Sequence, residues 1–444
     1  MTVSRTICLG FLTVITVGTL LLMMPFSMSS ATWSSPVTAL FTSTSAVCVT
    51  GLSVVDVGKY YTFWGQLFIV LLVQIGGLGY MTATTVLLLL IRKRLGLRDK
   101  VAIQQSLDIP GLSGLAMLIR SIIATTLIFE LTGVFLLMTI FVPQYGFNEG
   151  LWLSIFHSIN AFNNAGFSLF SDNLIQYARS PLMGMIITVL IIFGGIGYQV
   201  IMELYFWLRD RLSGSIKTHC FSLNFKIATS TTLVLLTIGT LAFFFTEFNN
   251  PQTIGGLEGG HKISAAWFQS VVPRTAGFNT IDITKMTTAG LFITIALMFI
   301  GTNPGSTGGG IKTTTLRVLL ECTRAVLQGK EEVLSYQRQI PLILILKAIG
   351  VLVGSGLTVL GATILMTLTD PKLDFIQILF EAVSAFATVG LSAVGTANFS
   401  TGGQVILIAT MYIGRVGILL LMGALLGDPK PTFTHYPEEN LLVG

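Results

Sequence analysis

The chain has 444 residues, of which 52% are hydrophobic and only 10% charged, and its mean hydropathy is +0.80. A soluble domain carries about 25% charged residues, so this composition excludes an ordinary soluble protein and marks a polytopic membrane protein. The net charge of +5 forms no basic stripe interleaved with aromatics, which argues against nucleic acid; the excess lies beside apolar segments, where membrane orientation places it.

Arg5 is followed by an uncharged run over residues 6–32 that ends near Ser29-Ser30-Ala31, an imitation of a signal peptide. The run is too long for one, since an h-region has about 7–15 residues, and it suffices for a membrane span of about 20. Further on comes Thr50-Gly51-Leu52-Ser53, and its grammar recurs as Ala165-Gly166-Phe167-Ser168, Ala276-Gly277-Phe278-Asn279 and Val389-Gly390-Leu391-Ser392. Each glycine has an aromatic ten residues before it (Phe41, Phe156, Trp267, Phe380), and the glycines are 115, 111 and 113 residues apart. Such a period means internal repeats.

Each repeat reads as a long apolar helix, a short semi-polar segment, the glycine motif and a second apolar helix. The long spans are expected near 6–27 and 64–91, 115–142 and 181–208, 225–246 and 286–328 (interrupted), and 340–368 and 403–427. The segments near 35–47, 150–163, 263–273 and 375–387 are too short to cross and read as re-entrant half-helices. The expected fold is therefore an all-α polytopic membrane protein: four helix–re-entrant pore helix–helix repeats, with eight transmembrane helices arranged pseudo-four-fold around one central ion pore. The repeats take residues 1–95, 96–210, 211–335 and 336–428, and 429–444 form a tail. That tail carries Pro429, Pro431 and Pro437 and reads as a disordered end, with a docking peptide as the alternative.

Basic residues cluster between repeats: Arg92, Lys93, Arg94, Arg98 and Lys100, then Arg209, Arg211, Lys217 and Lys226, then Lys312, Arg317, Arg324, Lys330 and Arg338. The positive-inside rule makes these loops and both termini cytoplasmic, and the residue 92–110 connector basic and amphiphilic, with lipid headgroups as its partner. The glycine motifs are then reached from outside.

Irregular backbone at membrane depth survives only where it is buried in protein or lines a wet path, so the four motifs are expected to meet around one axis. The carboxyl ends of the four half-helices carry partial negative charge, and the strand after each can aim carbonyls inward to replace an ion's hydration shell. No carboxylate falls within residues 46–52, 162–167, 275–278 or 385–391, whereas a hard divalent ion calls for several; a monovalent cation fits. A pure helix-packing role for the small-Gly motifs leaves the four-fold spacing unexplained.

The second helices hold Ile75-Gly76-Gly77-Leu78-Gly79-Tyr80 and Phe193-Gly194-Gly195-Ile196-Gly197-Tyr198, read as glycines for close packing. Repeat four has Ile413-Gly414-Arg415-Val416-Gly417, with a cation in mid-helix. Repeat three has Ile300-Gly301 followed by Thr302, Asn303, Pro304, Gly305, Ser306, Thr307, Gly308, Gly309 and Gly310. Proline costs about 3 kcal/mol in a helix interior and glycine about 1, so this stretch is expected to be a polar, flexible intramembrane loop. An intramembrane charge is a functional candidate, and Arg415 is expected to bond the loop carbonyls, the loop acting as a gate. The alternative is a static contact.

Residues 305–313 do not match a P-loop, since Ile311 separates Gly310 from Lys312 and no strand precedes them. An intramembrane enzyme with Ser306 as nucleophile and His157 or His261 as base lacks a supporting motif. Glu130 and Glu381 read as buried groups bonded to neighbouring repeats, Asn163 and Asn164 as shaping the pore, and Arg274 as a brace of the outer vestibule. The four cysteines, Cys8, Cys48, Cys220 and Cys322, form no C-x-x-C pair, which indicates neither zinc nor a disulfide framework.

These motifs together resemble the superfamily of K+ transporters that includes the Trk, Ktr and plant HKT proteins, and by length the membrane subunits of bacterial Ktr potassium uptake systems. The resemblance covers essentially the whole chain. It implies a single K+-selective pore per chain whose filter comprises Val49, Thr50 and Gly51; Asn164, Ala165 and Gly166; Thr275, Ala276 and Gly277; and Thr388, Val389 and Gly390. It implies a gate of residues 302–310 with Arg415, a homodimer in the cytoplasmic membrane, and a cytosolic RCK-domain regulatory ring that binds ATP or ADP, this chain binding no nucleotide. Sodium stimulation of K+ uptake is implied as well, with Na+ as a second candidate ion. Only repeat one, with Val49-Thr50-Gly51, comes close to the TVGYG channel signature, so fewer ordered carbonyl rings are expected. A less selective Na+/K+ or ammonium pathway is the alternative within transport.

Overall fold

The computed structural model describes residues 3–79, 115–214 and 220–427. The basic connector at 92–110, the end of the first repeat's second span, Tyr80, Lys217 and the tail at 429–444 lie outside the described residues. What is described is four helix–re-entrant helix–helix repeats in pseudo-four-fold arrangement.

Repeat one contains α1 (Val3–Met23), α2 (Pro36–Val47) and α3 (Phe63–Leu78). Repeat two contains α4 (Leu115–Tyr145), α5 (Phe147–Phe162), α6 (Pro181–Ile196) and α7 (Tyr198–Leu212). Repeat three contains α8 (Leu223–Glu247), α9 (Gly259–Val271), α10 (Thr288–Phe299) and α11 (Thr313–Leu327). Repeat four contains α12 (Leu342–Thr369), α13 (Phe375–Phe386), α14 (Thr401–Val416) and α15 (Ile418–Leu426).

The leading helices α1, α4, α8 and α12 are long and apolar enough to cross a membrane, and they turn large apolar side chains such as Leu131, Phe135, Leu233, Leu357 and Leu360 outward. Such a surface suits lipid and not water, and the chain is a multi-pass membrane protein. The re-entrant helices α2, α5, α9 and α13 have 12, 16, 13 and 12 residues, which at 1.5 Å per residue is about 18–24 Å, short of the hydrocarbon thickness.

A repeated polar contact docks three of them on the leading helix of the same repeat. Ser43 Oγ donates to Ile15 O at 2.8 Å, Ser158 Oγ to Glu130 O at 2.6 Å and Ser270 Oγ to Leu236 O at 2.8 Å. One turn along each leading helix a glycine, Gly18, Gly133 or Gly239, faces that serine, so the two backbones approach closely.

Every second helix starts at a Ser or Thr N-cap: Thr62, Ser180, Thr287 and Ser400 each accept a first-turn N–H, satisfying a donor the helix leaves orphaned. In the last two repeats a carboxylate from the end of the leading helix binds this cap. Glu247 accepts from Thr287 N at 3.0 Å and Thr287 Oγ1 at 2.7 Å, and Asp370 from Ser400 N at 2.7 Å.

The second helices of repeats two and four are broken rather than straight. The α6/α7 pair bends by 102° at Gly197 and the α14/α15 pair by 94° at Gly417, while α3 stops at Gly79. The last glycine of each Gly-Gly-x-Gly or Gly-Arg-Val-Gly run takes a left-handed φ, +78° at Gly79, +95° at Gly197 and +85° at Gly417, which only glycine adopts without steric cost. In repeat three the whole residue 300–312 stretch replaces the bend. The leading α1 is also shorter than expected, ending at Met23.

Candidate functional site

The four motif glycines meet. A Cβ built on Gly51 would lie 3.1 Å from Gly166 Cα, one on Gly166 2.7 Å from Gly277 Cα, one on Gly277 3.2 Å from Gly390 Cα, and one on Gly390 3.1 Å from Gly51 Cα. This is a closed ring in chain order. Each of those Cβ positions also faces a carbonyl of the next repeat, from Ala165, Ala276, Val389 and Thr50 in turn. Glycine is required twice over here: the space belongs to a neighbour's backbone, and φ is +87°, +70°, +69° and +93°.

Two residues before each glycine φ is positive as well, at Val49 (+57°), Asn164 (+58°), Thr275 (+66°) and Thr388 (+51°). The intervening Thr50, Ala165, Ala276 and Val389 are not in that region. Alternating φ in sign along a segment turns successive carbonyls to the same side, so each strand can offer more than one oxygen to the axis. For β-branched Val and Thr this conformation is an outlier, and the re-entrant helices hold it. Their backbone carbonyls at Ser45, Asn160 and Ser384 each accept an N–H from Thr50, Ala165 or Val389 at 2.8 Å. Ser45 Oγ and Ser384 Oγ accept the N–H of Gly51 and Gly390 at 3.1 and 3.2 Å.

The first glycine of the second-helix motif seats on the end of the re-entrant helix. Gly76 faces Val47 O, Gly194 faces Phe162 O and Gly414 faces Phe386 O. These are last-turn carbonyls with no intrahelical partner, and the glycines let a crossing helix cover them. The expected packing role of these glycines is joined in repeats two and four by the bend at the last one. Gly301 of repeat three instead faces Gly309 and Gly310 of its own loop.

That loop is non-helical, as the composition requires, and it is extensively bonded. Ile300 and Ile311 pair as a bridge and close its base, with Gly301 N on Ile311 O at 2.9 Å. Asn303 N and Thr307 N donate to Gly195 O and Gly194 O at 3.1 and 3.2 Å, and Gly305 O accepts from Tyr198 N at 3.0 Å. Asn303 Nδ2 reaches Thr232 Oγ1 at 3.1 Å, and Thr313 Oγ1 bonds Asn303 Oδ1. Backbone without a helix at this depth must find such partners.

The loop lies against the ring on the side of the left-handed residues, Gly308 facing the Thr275 hydroxyl and Gly309 the Thr388 hydroxyl. Arg415 reaches it from repeat four: Nη1 donates to Thr307 O at 2.6 Å, and Nη2 donates to Gly76 O of repeat one. Lys312, counted from sequence among the between-repeat charges, instead turns back and donates from Nζ to Gly308 O at 2.8 Å.

Arg274 also differs from expectation. It does not brace a vestibule; it lines a small cavity with Ile191, Ile192, Gly195, Thr232, Thr302 and Asn303, beside the loop, and its Nε is a buried donor with no acceptor among the described residues. Glu130 accepts from Asn163 Nδ2 at 2.9 Å, and the same amide reaches Gln74 Oε1 of repeat one at 2.9 Å. Glu381 does not reach a neighbouring repeat as expected but bonds Ser392 of its own. Ser306 Oγ is bonded to Asn303 O at 2.6 Å and Thr302 Oγ1 at 2.8 Å, and His157 to Leu153 O and Ser168, so serine and histidine form no catalytic pair.

The family model described as TrkH, cation transport protein, matches residues 4–424. The chain is 39% identical over 444 residues to the Ktr system potassium uptake protein B of Bacillus subtilis (strain 168), covering 100% of this chain and 97% of that one. It is 40% identical to the Ktr system potassium uptake protein B of Vibrio alginolyticus, covering 99% and 94%, and 36% identical to the potassium/sodium uptake protein NtpJ of Enterococcus hirae, covering 99% and 96%. The crystal structure of the potassium transporter TrkH from Vibrio parahaemolyticus matches with a TM-score of 0.71 at 18% identity, over 95% of this chain and 85% of that one, which establishes the shared fold. The ring, the broken second helices and these likenesses over the full length agree: the chain belongs to the TrkH family of cation transport proteins and is not an enzyme.

Proposed function

We propose that this protein is the K+-conducting membrane subunit of a potassium uptake system, with the glycine ring as its selectivity filter. The observation that carries the reading is the closed ring of Gly51, Gly166, Gly277 and Gly390 with a carbonyl from each repeat at its neighbour's glycine. Neutral oxygens in a ring replace the hydration shell of a monovalent cation, and the potassium uptake named for the relatives fits that chemistry. Val49, Thr50, Asn164, Ala165, Thr275, Ala276, Thr388 and Val389 supply the rest of the filter strands. The hydroxyls of Thr50 and Thr388, buried and without a partner among the described residues, add two oxygens available to the ion.

The loop of Thr302, Asn303, Pro304, Gly305, Ser306, Thr307, Gly308, Gly309 and Gly310 acts as the gate, held shut in part by Arg415, which repels a cation and ties Thr307 to repeat one. A protein of this kind sits in the cytoplasmic membrane with both termini inside, forms homodimers, and is controlled by a cytosolic RCK-domain ring that binds ATP or ADP in its place; sodium stimulates uptake. The test is K+, Rb+ and Na+ flux in proteoliposomes. K+ and Rb+ flux well above Na+ flux is the expected result, and equal flux would favour the less selective Na+/K+ pathway, for which the name of the Enterococcus relative speaks. For the gate, a variant lacking residues 302–310 should conduct without its regulators; flux unchanged in size and in regulation would exclude a gating role.

A further inference from the structure

The four repeats are equivalent at the glycines but not at the contact that holds the strand after each glycine. Nine residues before the glycine, on the re-entrant helix, stand Thr42, His157, Phe268 and Glu381; two residues after it stand Ser53, Ser168, Asn279 and Ser392. In repeat two His157 Nε2 lies 3.0 Å from Ser168 Oγ, and in repeat four Glu381 bonds Ser392 Oγ. The corresponding residues of repeats one and three are turned elsewhere. Thr42 Oγ1 accepts from Tyr61 at 3.2 Å, and Asn279 Nδ2 donates to Ile281 O at 3.0 Å.

The ring order makes repeats two and four face each other across the axis. We propose that His157 and Glu381 are positioning residues for ion selection, each clamping the outgoing strand of its own repeat by a side-chain contact from the re-entrant helix. This rests on reading the glycine ring as the filter.

The two serines pass the constraint to the backbone. Ser168 Oγ accepts from Phe170 N at 3.1 Å, and Ser392 Oγ accepts from Gly395 N at 2.8 Å. The imidazole of His157 is oriented by its second nitrogen. Nδ1 sits 2.8 Å from Leu153 O, a group that only accepts, so Nδ1 carries hydrogen and Nε2 of the neutral ring accepts from the Ser168 hydroxyl. The ring stacks on Phe170 at 5.1 Å and meets Phe278, the residue after Gly277, at 6.3 Å, so the clamp of repeat two also touches the outgoing strand of repeat three. His157 and Glu381 are fully buried, where a polar bond is held tightly because its loss strands the partner. Ions of different radius differ in the carbonyl spacing they need, and strands fixed on two sides hold that spacing.

The experiment is K+/Na+ and Rb+/Na+ flux ratios in proteoliposomes for His157→Leu, Glu381→Leu, His157→Gln, Glu381→Gln, Ser168→Ala and Ser392→Ala, with Gly277→Ser as the ring control. The Leu and Ala variants are expected to lose about tenfold in K+/Na+ ratio, equivalent to about 1.4 kcal/mol, and the Gln variants, which keep a hydrogen-bonding group, to recover most of it. Adding Ser392→Ala to Glu381→Leu should lower the ratio no further. Should the Leu variants fail to fold, the Ala variants remove the same bonds without adding bulk, and wild-type ratios in both would overturn the clamp. If Gly277→Ser lowers the ratio while the clamp variants do not, the clamp alone is wrong. An unchanged ratio in Gly277→Ser refutes the filter reading itself, and the clamp with it.

Discussion

Gly277→Ser puts a side chain where the ring has none. The residue sits at φ +69°, a conformation that costs an L-residue about 1–2 kcal/mol. The new Cβ would lie 2.5 Å from Val389 O, 3.1 Å from Gly166 Cα and 3.2 Å from Gly390 Cα. All three are backbone atoms that cannot rotate away, so relief requires strand three to move off the axis or strands two and four to spread. Either movement alters carbonyl positions in the ring proposed as the filter. If the backbone strain alone is expressed as lost discrimination, the K+/Na+ flux ratio falls about five- to thirtyfold, since 1.4 kcal/mol is a factor of ten; the overlaps add to this. The assay is paired K+ and Na+ flux in proteoliposomes at matched protein density. A wild-type ratio at wild-type K+ flux would mean that Gly277 is not part of the selecting ring, and the carbonyl argument would fall with it.

Arg415→Gln removes two charge-assisted bonds, to Thr307 O and Gly76 O, each worth about 1.5–3 kcal/mol. Basal K+ flux without regulators should rise at least severalfold, and flux that stays at the basal level would refute the tether. Gly194→Ala drives a Cβ into Phe162 O and should cost about 1–3 kcal/mol as overpacking does, read as a lower thermal midpoint in detergent; an unchanged midpoint would mean α6 does not need the close approach. Glu247→Ala strands the Thr287 N–H and the Thr287 hydroxyl, both of which donate to Glu247. It should lower stability by about 1–3 kcal/mol per orphaned group while leaving the K+/Na+ ratio intact, and a changed ratio would show that this cap also shapes the ring.

The repeat, the short re-entrant helices and the ring are legible in sequence because glycine spacing and an aromatic ten residues earlier are local, repeated signals. What stays hidden is backbone conformation that runs against residue type. Val49, Thr275 and Thr388 are β-branched, and nothing in a β-branched residue announces a positive φ; only the surrounding ring imposes it. The bends at Gly197 and Gly417 have the opposite fault: the glycines are visible, but glycine serves close packing and left-handed turns alike, and the run contains both uses. Arg274 escapes a sequence reading because its neighbour Thr275 lies in the ring, while one residue along an irregular strand suffices to turn a side chain away from the axis. Lys312 escapes it because loop counting treats every charge between helices as exposed, and this one folds back onto a carbonyl.

The residues two before the ring glycines also explain the composition of the loop. A threonine held at positive φ is strained by about 1–3 kcal/mol, and a glycine there would remove the strain, so the side chain must be kept for something it touches. Thr275 and Thr388 point their hydroxyls at Gly308 and Gly309. Neither of these two glycines has a positive φ, so conformational freedom does not account for them; a Cβ on either would strike the threonine it faces. The Gly308-Gly309 pair is thus a recess that lets the loop lie directly against the ring, and Gly310, at φ +69°, is the residue of the three that needs glycine for its turn. Ring strain and loop glycines are two halves of one contact, and a loop displaced from the ring would uncover the two threonine side chains that justify the strain.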